Sequence, residues 1–310
     1  MEVYFDKKFV KVFFQLLVAN SNPHLISFEL FLKKLAGFKT YINVDTVKDI
    51  TDDIVLKRAL NVPINVPQID SSFLNKIAEP SFYNNGTAFR LFFVEIPETK
   101  SLRKKFGYYF FNSNDILAEW GKINSVFEEY AITIHPGNKQ LEDWKFLHKY
   151  QHPINSIVVV DRYMLKTVAT ARENILPLLH QLLKNNENVL IKLTIITNYR
   201  DNYKNIHYPI KECELMIKDN LKNKGFNVQV ELYNLDNQEH ARGLLTNYWY
   251  MNPGSSFDIF RNGKIVVNDN LYLNFNFKKP GKTLTEELVK RLRNHLTKSN
   301  EKSKNQLLIN

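Results

Sequence analysis

Between Glu239 and Phe257 the chain places a nucleophile candidate, a fixed cation, a side-chain amide and a Gly-Ser turn at ordered intervals. His240, Arg242 and Asn247 follow the spacing H-x-R-x4-N, and Gly254-Ser255-Ser256 comes after a further six residues. Such a set suits phosphodiester chemistry. Cleaving a phosphodiester without a metal requires a nucleophile, cations on the non-bridging oxygens and an acid for the leaving group. If this stretch is a strand, alternation puts His240 and Arg242 on one face. Arg242 supplies a permanent charge and a planar fork that matches two phosphate oxygens. Asn247 can accept a hydrogen bond through its amide oxygen but brings no charge to an imidazolium. The same residues have a plainer reading: an edge-strand histidine, a surface ion pair of Arg242 with Glu239 or Asp236, and ordinary turn residues at 247 and 254–256.

The elements that must position this stretch follow from periodicity. Ser156-Ile-Val-Val-Val-Asp161 is a β-branched run ending in a carboxylate, the pattern of a parallel strand buried on both faces. A helix carrying Ile175, Leu179, Leu182 and Leu183 follows, then a strand over 189–197. A helix opened by Pro209 carries Ile210, Cys213, Ile217 and Leu221 and closes at Gly225, and a strand covers 227–232. The order β-α-β-α-β, with the motif on a fourth strand, predicts an α/β sheet with crossovers. Residues 263–267 and 271–277 read as antiparallel edge strands. Lys282 to Thr297 reads as a capped helix with a row of Leu284, Leu288, Leu292 and Leu296 that packs on the body or on a second copy, and the last dozen residues read as frayed.

Upstream, helices are expected over 9–19, 25–35 and from a cap at Asp45 to Leu60, with a strand at 39–44. A Pro-rich connector over 61–85 precedes a strand at 87–96, an extended aromatic segment at 105–111, a helix over 115–126 and a strand at 131–134. His135 and Lys139 flank a Pro-Gly turn and read as incidental polar residues. The texture changes near residue 152. The expected domains are therefore 1–152, α/β and of unreadable role; 153–280, carrying the motif; and 281–310, a basic helical tail.

The motif stretch resembles the signature of the phospholipase D superfamily, H-x-K-x4-D-x6-G-S. Arg242 replaces the lysine and Asn247 the aspartate, and the resemblance covers about residues 153 to 277. It implies a mixed, partly parallel sheet with helices on both faces. It also implies that His240 is the covalent nucleophile, Arg242 a phosphate clamp, Asn247 an imidazole-orienting group, and Ser255, with Ser256 beside it, a phosphate hydrogen-bond donor. No metal and no cofactor are called for. Catalytic members combine two motifs and this chain carries one, so turnover implies a homodimer that pairs two His240 residues. The expected function is phosphodiester binding, with nucleic acid bound or acted on, in a bacterial, antiphage-defence setting, and with catalysis weakened or lost through Asn247 and the missing second motif. The alternatives are an active homodimeric nuclease and a non-catalytic scaffold for a protein partner or an anionic membrane.

Composition bounds these readings. The chain has 310 residues, 44% hydrophobic and 24% charged, enough for two folded domains. Its one cysteine, Cys213, excludes an internal disulfide or a cysteine-built metal site and fits a reducing cytoplasm. No apolar run approaches a membrane span, and the first residues lack the order of a signal peptide. The net charge of +10 favours polyanions, but residues 278–304 hold nine Lys/Arg against three Glu, so most of the excess lies in the tail.

Overall fold

The computed structural model describes residues 1–35, 38–60, 66–84, 87–128, 131–135, 143–201, 205–235, 241–267, 269–276 and 279–309. Both parts of the chain are α/β, and the chain divides into Met1–Glu128 and Glu129–Asn310.

The first unit is a five-stranded sheet, β1 (Glu2–Phe5), β2 (Lys39–Ile42), β3 (Gln68–Ile69), β4 (Arg90–Phe93) and β5 (Tyr109–Phe111), in the order β3-β2-β1-β4-β5 with every pairing parallel. Its helices are α1 (Lys7–Ala19), α2 (Pro23–Lys33), α3 (Val47–Thr51), α4 (Ile54–Ala59), α5 (Phe73–Lys76), α6 (Thr99–Phe106) and α7 (Ser113–Glu128). The single helix expected from Asp45 to Leu60 is two, because the stretch holds two competent caps. Thr46 and Asp49 form a reciprocal capping box, and the Asp53 carboxylate accepts from the amides of Val55 and Leu56. The 61–85 connector carries β3 and α5. Lys105 and Phe106 end α6 rather than begin a strand, and Gly107 at φ +67° closes that helix. At the carboxyl end of β1, the Asp6 oxygens accept from Lys8 N, Asn43 Nδ2 and Glu95 N, which ties together the loops after three strands.

The second unit has a seven-stranded mixed sheet: β6 (Ala131–Ile134), β7 (Ser156–Val160), β8 (Ile191–Thr197), β11 (Val228–Asn234), β12 (Gly243–Leu245), β13 (Trp249–Asn252) and β16 (Leu271–Phe275). Two small hairpins complete the numbering, β9 (Arg200–Asp201) with β10 (Ile206–His207), and β14 (Phe260–Arg261) with β15 (Lys264–Ile265). The sheet order is β11-β8-β7-β12-β13-β16-β6. β11, β8 and β7 are parallel, and every later pairing is antiparallel. The helices are α8 (Val168–Thr170), α9 (Leu176–Leu183), α10 (Ile210–Asn223) and α11 (Lys279–Lys298), with a π-helical turn at Ala171–Ile175 between α8 and α9. All five residues of β7 are buried, as its uninterrupted apolar run requires.

Three boundaries differ from expectation. β6 hydrogen-bonds to β16 from Ile134↔Leu271 to Ala131↔Asn274, so the second unit begins before residue 131 and not at 153. β16 is therefore interior, between β13 and β6, and not an edge strand. The tail is also no separate element. Leu288, Leu292 and Leu296 of α11 are buried, with Leu284 left 41% exposed. Beyond the helix, Asn305 is fully buried and donates to the carbonyls of Ile157 (2.9 Å) and Lys192 (2.8 Å). Ser303 Oγ donates to Glu231 at 2.6 Å, and Leu307 and Leu308 are buried, so the expected fraying does not occur.

Candidate functional site

β7 ends at Val160, and the next residue, Asp161, is fully buried. This is the strand at which the sheet passes from parallel to antiparallel pairing, and the carboxyl end of such a strand is where open α/β sheets place ligands. The Asp161 Oδ1 accepts from Tyr163 N at 2.7 Å, which turns the chain away from the strand, and Oδ2 accepts from Phe257 N at 2.7 Å. The Ser256 hydroxyl and the Arg242 charge both lie close enough to act on this carboxylate. Burial pushes the Asp161 carboxyl above its ordinary range, against the pull of the two amides, the hydroxyl and the guanidinium. Asp161 thus fastens the turn after β13 to the end of β7.

Arg242 sits immediately before β12, on irregular backbone and not on the strand itself. Its position depends on the residue beside it. A Cβ on Gly243 would lie 2.3 Å from Tyr250 Cε2 and 3.1 Å from Leu288 Cδ2, so only glycine lets the Tyr250 ring cross β12 there. The Tyr250 hydroxyl then donates to the Arg242 carbonyl at 3.1 Å. The Arg242 side chain is half-buried, and its Nε is buried with no hydrogen-bond partner among the described residues. A buried guanidinium nitrogen with no partner among the described residues, beside an anchored turn, is suited to an anion.

The Gly-Ser turn adopts the conformation its sequence predicts. Gly254 has φ +66°, where a side chain would also meet Asp269 Cβ at 2.8 Å, and its amide donates to Asn252 Oδ1 at 2.9 Å. Ser255 is half-buried in the turn, whereas Ser256 is 8% exposed and accepts from Asp258 N at 3.0 Å. Next along the chain, Asp258 pairs with Lys166 Nζ and with Arg261 Nη2 at 3.2 Å. Asn174, fully buried in the π-helical turn, accepts from the amides of Ile259 (2.9 Å) and Phe260 (2.8 Å) and fixes the backbone beyond.

Asn247 lies elsewhere. Because β12 runs antiparallel to β7, Gly243 faces Val160 while Leu245 faces Val158, and the chain descends toward the amino end of β7. There Asn247, fully buried, accepts from the amides of Asn155 (3.0 Å) and Ser156 (3.2 Å) and donates to Asn155 Oδ1 at 2.8 Å. The five residues of β7, about 16 Å at ~3.3 Å per residue, separate it from the Asp161 end. The expected role as an imidazole-orienting group is therefore corrected: this amide closes the start of β7. A carboxylate could not donate to Asn155, so asparagine suits the position for a structural reason.

His240 and Lys139 lie outside the described residues. His135, at the end of β6, is exposed and its Nδ1 lies 2.6 Å from Asn270 Oδ1. Three strand spacings, about 14 Å, separate β6 from β12. Sequence reasoning gave no role to Asp161, Lys166, Asn174, Asp258 or Arg261. Only Asp161 carried a readable signal, a carboxylate ending a wholly apolar parallel strand. No group of three or more histidine, cysteine or acidic residues with metal-binding geometry occurs among the described residues. Among them, too, no helix is long and apolar enough to cross a membrane. No protein-family model matches this chain, and no curated protein matches it either.

Proposed function

We propose that the carboxyl end of β7 is a phosphodiester-binding site of phospholipase D type and that its partner is nucleic acid. The observation carrying this reading is that Asp161 binds the Gly254–Phe257 turn through Phe257 N while the Arg242 charge, from a separate part of the motif, lies near enough to act on the same carboxylate. A phosphate there would meet the guanidinium and the Ser255 hydroxyl on a surface whose shape is set by buried hydrogen bonds. Arg242 is the clamp, Ser255 and Ser256 belong to the turn that receives the anion, and Asp161 holds the turn without touching the ligand. With Asn247 assigned to structure, its replacement of aspartate carries no argument against turnover. The case for binding over catalysis now rests on the single motif.

The test is binding of labelled single-stranded DNA and RNA across a salt series, with cleavage followed in EDTA. Binding that weakens steeply with salt is the expected result. Salt-insensitive binding, or no binding by either the protein or its Asp258→Asn variant, would overturn the reading. Cleavage that persists in EDTA and disappears in His240→Ala would establish a metal-independent nuclease.

A further inference from the structure

Close to this site the protein holds two cations against an internal anion. Lys166 and Arg261 both contact the Asp258 carboxylate, which also lies 3.5 Å from Asn174 Nδ2. The two cationic side chains remain open to solvent, at 31% and 57%, while the Asp258 side chain is only 10% exposed. The arrangement belongs to the same two loops that make the Asp161 end. Lys166 lies on the loop after β7, five residues beyond Asp161, with its amide donating to Tyr163 O at 3.1 Å. Asp258 and Arg261 continue the turn that carries Ser256, and the Asp258 amide donates to the Ser256 hydroxyl at 3.0 Å. A carboxylate between a lysine and an arginine occupies the place a phosphate oxygen pair would take, since both anions use the same ammonium and guanidinium donors.

We infer that Lys166 and Arg261 form a second backbone-phosphate contact of the nucleic-acid site, and that Asp258 covers it until a phosphodiester displaces it. The inference rests on the reading of the Asp161 end as a phosphodiester site and extends it by one phosphate. Asp258 is positioned to do this because its backbone is fixed independently of its charge. Its amide is held by Ser256, and Asn174 grips the next two amides. The carboxylate can therefore leave the cations without the loop moving. Both cations are partly exposed and can turn to solvent when Asp258 is neutralised, and the asparagine amide keeps an acceptor toward them, so the fold is expected to survive Asp258→Asn. Its effect falls on the ligand: with the internal anion gone, both cations face the incoming backbone with their full charge.

The experiment measures binding of labelled oligothymidylate to the full chain across a salt series, for the parent protein and for Asp258→Asn, Lys166→Ala and Arg242→Ala, with thermal melting of each as the folding control. The expected result is that Asp258→Asn binds about fivefold more tightly at low salt, because a like-charge competitor beside the phosphate is removed. Lys166→Ala is expected to bind more weakly and to show a salt slope smaller by about one. Should Arg242→Ala weaken binding while Lys166→Ala and Asp258→Asn leave affinity and slope unchanged, the second contact is refuted and the primary site stands. Weaker binding by a folded Asp258→Asn refutes the covering role. Binding by Asp258→Asn where the parent protein shows none supports it, and failure of both proteins to bind refutes the second contact together with the site it extends. If Asp258→Asn does not fold, Lys166→Ala decides alone.

Discussion

The two ends of β7 carry polar residues for opposite purposes. At the amino end, Asn155, Ser156 and Asn247 exchange hydrogen bonds in a closed, fully buried cluster, with His152 and Thr246 beside them. At the carboxyl end, Asp161 is equally buried, but it holds loops that present a half-buried guanidinium, a Gly-Ser turn and a Lys-Asp-Arg set to solvent. A motif whose residues follow one another at ordered intervals in sequence is thus divided by the antiparallel β12 into a part that faces outward and a part that fixes the sheet. Spacing in sequence says nothing about which end of a neighbouring strand each residue reaches.

The contrast predicts separable consequences. The largest concerns Asn247. Replacing it with alanine leaves the amides of Asn155 and Ser156 buried without their acceptor, at a cost of about 3 kcal/mol. Chemical denaturation is expected to show that loss. The protein still folded at low denaturant is expected to bind oligonucleotide as the parent does. A loss of affinity with unchanged stability would reverse the assignment of the two ends.

Acid sharpens the comparison, because the two ends respond with opposite sign. Burial pushes the His152 imidazole down to about 3 from its ordinary 6.5. The unfolded chain therefore takes up a proton below pH 6.5 that the folded protein refuses, and stability falls as pH drops from 6.5 toward 3. The slope is about 1.4 kcal/mol per pH unit, or roughly 2 kcal/mol lost at pH 5. His152→Leu is expected to flatten that limb of the stability-pH curve, and an unchanged limb would show that His152 is not its source. Asp161 acts the other way. Its carboxyl is raised, so its contribution to stability is present in acid and lost as pH rises through its folded value. Asp161→Asn is expected to steepen the acid limb that His152 leaves.

The smallest expected effect lies in the tail. Asn305→Ala removes two hydrogen bonds to strand carbonyls and is expected to cost about 1–2 kcal/mol. Melting measurements check this, and a change below a few tenths of a kcal/mol would mean that residues 301–309 do not stabilise the sheet.

Much of the scaffold was legible before the structure. The runs of β7 and β8 were legible from their β-branched composition and short length, and α10 from an apolar stripe of helical period, from Ile210 to Leu221. The Gly254 turn was legible because its backbone conformation admits little else. Partnership was not legible. Ala131–Ile134 reads as a strand, yet four residues cannot announce that their partner is Leu271–Asn274, so the domain boundary was placed too late. Burial of polar side chains was equally hidden. Asn305 looks like a frayed end and Asn247 like a catalytic amide, because an amide has the same composition whether it faces an imidazole or a strand's open backbone groups. The Lys166-Asp258-Arg261 set joins residues more than ninety positions apart, and no local spacing foretells it.

The claim that the carboxyl end of β7 is the functional end is tested most directly by the oligonucleotide affinity of Arg242→Ala against its melting temperature. A charge-assisted contact to phosphate contributes about 1.5–3 kcal/mol, so affinity is expected to fall at least about tenfold while the melting temperature stays within a degree or two of the parent. Unchanged affinity in a protein that melts as the parent does would contradict the account.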